Sequence, residues 1–137
     1  MTQAYTAVID GACRGNPGPS AIGVLIYDAE GNLIRKFHRF LGKATNNIAE
    51  YQALLACLNE IAALGGKKVL VRSDSQLLVR QFNGQYRIRN GTLRELARAV
   101  QQIIDAHGLQ VTLVHVPRKE TAEADRLANI SLNQAGY

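Results

Sequence analysis

Tyr5-Thr6-Ala7-Val8-Ile9-Asp10-Gly11 is a run apolar on both alternating faces with a single charge, Asp10. Apolar residues on both faces mark a strand buried in the middle of a sheet. Gly11 and Gly15-Asn16-Pro17-Gly18-Pro19 carry the turn chemistry that ends such a strand, which puts Asp10 at its carboxyl end. A second short strand, Val69-Leu70-Val71-Arg72, leads through Ser73-Asp74-Ser75 into the apolar-periodic Gln76 to Phe82 and repeats the arrangement around Asp74.

Working outward, the patterns predict strands near Ala4 to Asp10, Ile22 to Tyr27, Leu33 to Leu41, Val69 to Arg72 and Val111 to Val116. Helices are expected over Ile48 to Leu64, Ser75 to Phe82, Thr92 to His107 and Ala122 to Gln134. Asp28-Ala29-Glu30-Gly31-Asn32 reads as a hairpin turn between the second and third strands. The order βββαβααβα specifies an α/β fold with a five-stranded mixed sheet, an antiparallel meander first and parallel crossovers after it, with helices on both faces. If the first and fourth strands are parallel neighbours, Asp10 and Asp74 stand side by side at their carboxyl ends, where open α/β sheets place their chemistry.

Two further acids join them. Glu50 shares a helical face with Leu54, Cys57 and Ile61 and leans toward the protein body. Asp125 falls early in the final helix, after a cap expected at Thr121, at the border of the buried stripe. Each acid has a bland alternative. Asp10 can bond its own turn, Asp74 can cap a helix, Asn47-Ile48-Ala49-Glu50 has capping-box spacing, and Asp125 complements a helix dipole. Four inward-facing acids at strand ends and helix starts read instead as a metal site for cutting a phosphodiester.

Composition agrees with that chemistry. The 137 residues, 47% hydrophobic, support one domain spanning 1–137, and no linker, repeat or low-complexity segment divides them. No apolar signal core or membrane-length stretch is present, and Cys13 and Cys57 lack metal-ligand spacing, so a cytoplasmic protein with reduced thiols, unattached to any membrane, is expected. Lys and Arg number 16 against 11 acids, and setting four acids in a metal site leaves 16 against 7 on the remaining surface. Such a surface suits a phosphate backbone, and 11 of the 16 cations are Arg, the better bidentate phosphate ligand. An ordinary basic soluble protein is the alternative.

Asp10-Gly11-Ala12-Cys13-Arg14-Gly15-Asn16-Pro17-Gly18-Pro19, Thr45 to Leu54 (TNNIAEYQAL), Ser73-Asp74-Ser75-Gln76-Leu77 and Ala124-Asp125-Arg126-Leu127-Ala128 occur in that order. Together they resemble the four motifs of the type 1 ribonuclease H family, over nearly the whole chain. The resemblance implies a ribonuclease H-like fold and endonucleolytic cleavage of the RNA strand of an RNA–DNA hybrid. Two Mg²⁺ ions, with Mn²⁺ as a substitute, are implied as cofactors: Asp10 bridges both, Glu50 and Asp74 hold the nucleophile-side ion, and Asp125 holds the other. It also implies substrate contacts from Gly11, Asn16, Asn46, Asn47 and Gln76 to the minor groove, where the 2′-hydroxyl distinguishes RNA from DNA, and from Thr45 to a phosphate. For Asn16 and Asn47, turn and cap duties remain alternatives.

The chain departs from familiar members in two places. The linker Asn83 to Gly91 replaces a basic helix and loop that grips the hybrid, leaving Arg87, Arg89, Arg94 and Arg98 for phosphates. The segment Val116 to Thr121 contains no His where relatives carry a mobile one, and His115 lies on the preceding strand. Arg118 is therefore expected to take over part of that work at the scissile phosphate, with pairing to Glu120 or Glu123 as the alternative. Other function classes are a different ribonuclease H-like nuclease and a non-catalytic nucleic-acid-binding domain. A monomer is the default.

Overall fold

The computed structural model describes residues 4–137. Five strands and four α-helices follow the expected order: β1 (Ala4–Cys13), β2 (Gly18–Tyr27), β3 (Leu33–Ala44), α1 (Asn46–Ala63), β4 (Lys68–Ser73), α2 (Gln76–Phe82), α3 (Gly91–His107), β5 (Gln110–His115) and α4 (Ala122–Gln134). A 3-10 turn over Arg118–Thr121 precedes α4. The sheet runs β3-β2-β1-β4-β5. β1 pairs antiparallel with β2 and parallel with β4, so the run that opens the chain is central, as its two apolar faces require.

Each face has its own cover. Ala7, Ile9, Val24, Ile26, Val69 and Val71 pack with Leu54, Leu58 and Ile61 of α1 and Leu93 and Val100 of α3. On the opposite face Val8 and Leu25 meet Ala124 and Leu127 of α4, and Ala21 meets Ala128 and Leu132. A fully buried Leu or Ile contributes about 1.5–3 kcal/mol, while an exposed ion pair contributes about 0–1 kcal/mol. The apolar layers, rather than surface charge, hold the helices that carry the acids.

Several sequence expectations are corrected at element ends. β1 does not stop at Gly11. Its parallel ladder with β4 ends at Val8↔Arg72, but its antiparallel ladder with β2 continues to Cys13↔Ser20. Asp10 thus sits just beyond the parallel pairing on a strand still held from the other side. β2 and β3 likewise extend to a Gly18↔Ala44 pair, past an irregularity at Ser20/Ala21. Their Gly and Pro residues read as turn because backbone partners, invisible in composition, make them strand. Val116, expected to end β5, lies after it.

Two glycines set how closely helices approach the sheet. A Cβ on Gly11 would lie 2.6 Å from the Ala49 carbonyl carbon, and one on Gly23 would lie 1.9 Å from the Ala124 oxygen. Only glycine lets α1 and α4 come this near to β1 and β2. Both contacts bring an acid, Glu50 or Asp125, toward Asp10. Among the described residues, no helix is long and apolar enough to cross a membrane.

Candidate active site

Four different elements deliver the acids. Asp10 projects from β1 beyond the parallel ladder, and Glu50 lies near the start of α1. Asp74 sits between β4 and α2, and Asp125 in the first turn of α4. Asp10, Glu50 and Asp74 each offer a carboxylate oxygen within 4.8 Å of the others. Asp125 is not in that tight group of three; it lines the same pocket.

The local bonding removes the bland alternatives for three of the acids. Thr45, not Asn47, caps α1, its Oγ1 accepting from the Ile48 N–H at 3.2 Å. Glu50 closes no capping box: its Oε1 accepts from the Gly11 N–H at 2.6 Å. Ser75 caps α2, accepting from Leu78 N–H, which leaves Asp74 free of that duty. Among the described residues Asp10 accepts no turn hydrogen bond, and its strand continues to Cys13. Asp125 does sit in the first turn of α4, as a dipole role requires. Thr121 precedes α4 but makes no side-chain cap bond.

Burial and mutual repulsion dominate the electrostatics. Asp10 and Glu50 are only 5% and 6% exposed. Burial pushes the Asp10 carboxyl far above the ordinary range, and the charges of Glu50 and Asp74 and then the Asp125 carboxyl push it further. Burial also raises Glu50, against the Gly11 N–H bond that favours its ionised form. The nearby cation does not neutralise this charge: Arg118 Nε lies 3.4 Å from Asp74 Oδ2, but its side chain is 92% exposed. Buried carboxylates of this kind stay ionised near neutral pH only beside a cation and otherwise hold protons. An all-oxygen donor set suits a hard divalent one.

Thr121 holds the expected N-cap position of α4 but turns its side chain to other partners. It is fully buried, with Oγ1 3.2 Å from Asp74 Oδ2 and 3.1 Å from the Arg118 carbonyl, so its one proton serves either acceptor in turn. Ser73, also fully buried, lies 3.5 Å from Glu50 Oε2 and accepts from the Ser75 N–H at 3.1 Å. A hydroxyl beside a carboxylate leaves no spacing signature, and both residues read from sequence as ordinary turn or cap residues.

Of the expected substrate contacts, Gly11, Asn46, Asn47 and Arg118 line the acidic pocket. Asn16 lies beside them, its Oδ1 accepting from the Asn46 N–H at 3.1 Å, and Thr45 is occupied as the helix cap. Gln76 is exposed at the start of α2, outside the pocket, with its amide turned toward Arg80. Arg87 and Arg89 are exposed on the α2–α3 link, also outside it. Arg94 is exposed and donates through Nε to the Ile88 carbonyl at 2.8 Å. Gln81 bonds the Arg87 carbonyl at 3.3 Å, and Arg80 lies 5.3 Å from the Tyr86 ring centroid, so the short link is fastened from several sides. Arg118 pairs with neither Glu120 nor Glu123; Glu123 is taken by Arg126.

A family model described as reverse transcriptase-like matches residues 8–131. The crystal structure of RNase H1 from the halophilic archaeon Halobacterium salinarum superimposes with a TM-score of 0.90 at 36% identity, over 96% of this chain and 98% of that one. The chain belongs to the type 1 ribonuclease H family. LC11-RNase H1, isolated from compost, was solved in complex with an RNA/DNA hybrid and matches with a TM-score of 0.92 at 37% identity, over 96% of this chain and 98% of that one. Among full-length ribonuclease H relatives, the Halobacterium salinarum ribonuclease HI is 36% identical over 94% of this chain, which spans 64% of that protein. A bifunctional protein of Mycobacterium tuberculosis is 34% identical over 92% of this chain, which spans 35% of it.

Proposed function

We propose that residues 1–137 form one catalytic domain of a cytoplasmic endoribonuclease that hydrolyses the RNA strand of RNA–DNA hybrids. Asp10, Glu50, Asp74 and Asp125 would hold two Mg²⁺ ions, with Mn²⁺ as a substitute. The observation that carries this reading is the convergence of Asp10, Glu50 and Asp74 oxygens within 4.8 Å, with Asp125 on the same pocket. The hybrid bound to a structural relative supports the substrate class. When bound, such a pair of ions supplies an activated water and a charge sink for the leaving oxygen.

The protein's own groups do the positioning. Asp10 lies in the tight group with Glu50 and Asp74 and shares the pocket with Asp125, so it is the carboxylate that would be available to both ions. The Gly11 N–H holds Glu50, and the Thr121 hydroxyl lies against Asp74. Asn16, Asn46 and Asn47, at the pocket's edge, carry amides that both donate and accept, as reading a 2′-hydroxyl demands. Thr45, Gln76, Arg87 and Arg89 extend the contact along the strands. The direct test is chelation: with labelled hybrid, EDTA should abolish cleavage and excess Mg²⁺ or Mn²⁺ should restore it. Undiminished cleavage in EDTA would remove the metal mechanism.

Arg118 reaches Asp74 from solvent, so its guanidinium stands where a scissile phosphate would meet the acids. It can stabilise developing negative charge but cannot act as a base near neutral pH. Arg118→Ala is expected to lower kcat by roughly tenfold or more, with KM changing less. A wild-type kcat would leave Arg118 as surface charge.

Replacing Arg87 and Arg89 together by Ala should weaken hybrid binding and flatten the log–log salt dependence by about one to two units, roughly one per phosphate contact. Fluorescence anisotropy across a salt series reads this slope. An unchanged slope places both arginines away from the substrate.

A further inference from the structure

Three oxygens, two of them from asparagine amides, converge on one guanidinium at the rim of the acidic pocket. Arg14 donates through Nη2 to Asn129 Oδ1 at 3.1 Å and Asn133 Oδ1 at 2.8 Å, and through Nη1 to the backbone oxygen of Tyr137. All three acceptors lie on α4 or just after it. The Arg14 backbone is itself tied into the β1–β2 turn, its N–H donating to the Pro19 carbonyl at 2.9 Å. The two asparagine acceptors on α4 are uncharged, so that part of the contact acts through direction and number rather than ion pairing.

Asn129 passes the restraint on. Its Nδ2 donates to the Asp125 carbonyl at 2.9 Å, one helical turn back, and Arg14, Asn129 and Asp125 line the same pocket. The tight group of Asp10, Glu50 and Asp74 is fixed by strand ladders and the Gly11–Glu50 bond. Asp125 lacks such a lock. α4 rests on the sheet through Ala124, Leu127, Ala128 and Leu132, contacts that set its height. Apolar packing is non-directional, so it tolerates small rotations of the helix about its axis. Such a rotation would swing Asp125 across the pocket. A planar guanidinium bonded to successive turns of α4 opposes it. The other polar tie from α4 to the sheet found among the described residues, His38 Nδ1 to Ser131 Oγ at 2.5 Å, reaches β3 instead of the pocket.

We propose that Arg14 is a positioning residue that fixes the rotation of α4, and with it Asp125, and so sets the affinity for the second divalent cation. This rests on the metal-dependent reading above. The experiment compares wild type, Arg14→Ala, Arg14→Lys, Asp125→Ala and the Arg14→Ala/Asp125→Ala pair in the full chain. Mn²⁺ binding is followed calorimetrically without substrate, and hybrid cleavage across a Mg²⁺ series.

Arg14→Ala is expected to weaken the second Mn²⁺ and raise the half-saturating Mg²⁺ concentration on the order of tenfold, the scale for losing a group that orients a metal ligand. KM for the hybrid and its salt dependence should hold. Lys should restore part of the loss, since an ammonium cannot reproduce the planar fork. In the absence of the Asp125 carboxylate, removing Arg14 should have no further effect on metal dependence. Unchanged Mn²⁺ binding and Mg²⁺ dependence in Arg14→Ala would overturn the proposal. So would a raised KM with a flatter salt slope at wild-type kcat, which would make Arg14 a phosphate contact. Failure of the wild type to bind Mn²⁺ would remove both this inference and the metal reading. A wild type that binds Mn²⁺ but spares hybrid would fail the substrate reading alone and leave the Mn²⁺ comparison decisive.

Discussion

Asp10→Asn is expected to lower hybrid cleavage by at least 10²–10³, on the order of deleting one group that stabilises the transition state, while making the metal-free protein more stable. The amide keeps the shape of the carboxyl but cannot serve as an anionic metal ligand. The stability change follows from linkage. Folding raises the Asp10 carboxyl through burial and through the charges of Glu50 and Asp74. The folded state therefore favours the protonated form, and the metal-free wild type loses stability as pH rises above the ordinary aspartate value toward the raised one. Asn has no proton to lose. The variant's advantage should be on the order of a few kcal/mol near pH 7, since each tenfold gain in proton affinity on folding corresponds to about 1.4 kcal/mol, and should vanish near pH 3. Mg²⁺ should stabilise the wild type more than the variant, because only a species that binds the ion gains from it. Thermal denaturation with and without Mg²⁺ across pH reads all three. Equal melting temperatures at every pH would mean that Asp10 is not crowded by its neighbours.

Glu50 separates a ligand from a helix cap. Glu50→Gln keeps an oxygen to accept from the Gly11 N–H, now held at 2.6 Å, and loses the charge. Cleavage should fall on the order of 10²–10³ with stability held or raised. Glu50→Asp keeps the charge but withdraws it by one methylene, and should strand the Gly11 N–H at a cost of about 1–3 kcal/mol. Activity should thus fall in both variants, and stability only in the Asp one. Wild-type cleavage by Glu50→Gln would reduce Glu50 to a structural tether for β1.

The sheet and the placement of the acids were legible because they rest on local patterns. A doubly apolar run fixes β1 as central, and short strand-to-helix junctions aim Asp74. The α4 boundaries match because the apolar spacing of Ala124, Leu127, Ala128 and Leu132 marks its buried face. Strand ends were not legible: β1 continues past Gly11 only because β2 is there to pair with it. The cap of α1 shifted to Thr45, although Asn is intrinsically the better cap, because Asn47 is already inside the helix. Arg94 reads as a free surface cation in sequence, whereas the fold sets the Ile88 carbonyl beside it. Thr121 and Arg14 act through partners far away in sequence, which no spacing rule records.

Substrate selection tests the central claim most directly. Labelled RNA–DNA hybrid, double-stranded RNA and duplex DNA are incubated with wild-type protein and Mg²⁺, each strand labelled in turn, and products are resolved by length. The account predicts internal cuts in the RNA strand of the hybrid, an intact DNA strand, and intact duplex DNA. A hybrid whose RNA strand survives, or whose DNA strand is cut as readily, would contradict it.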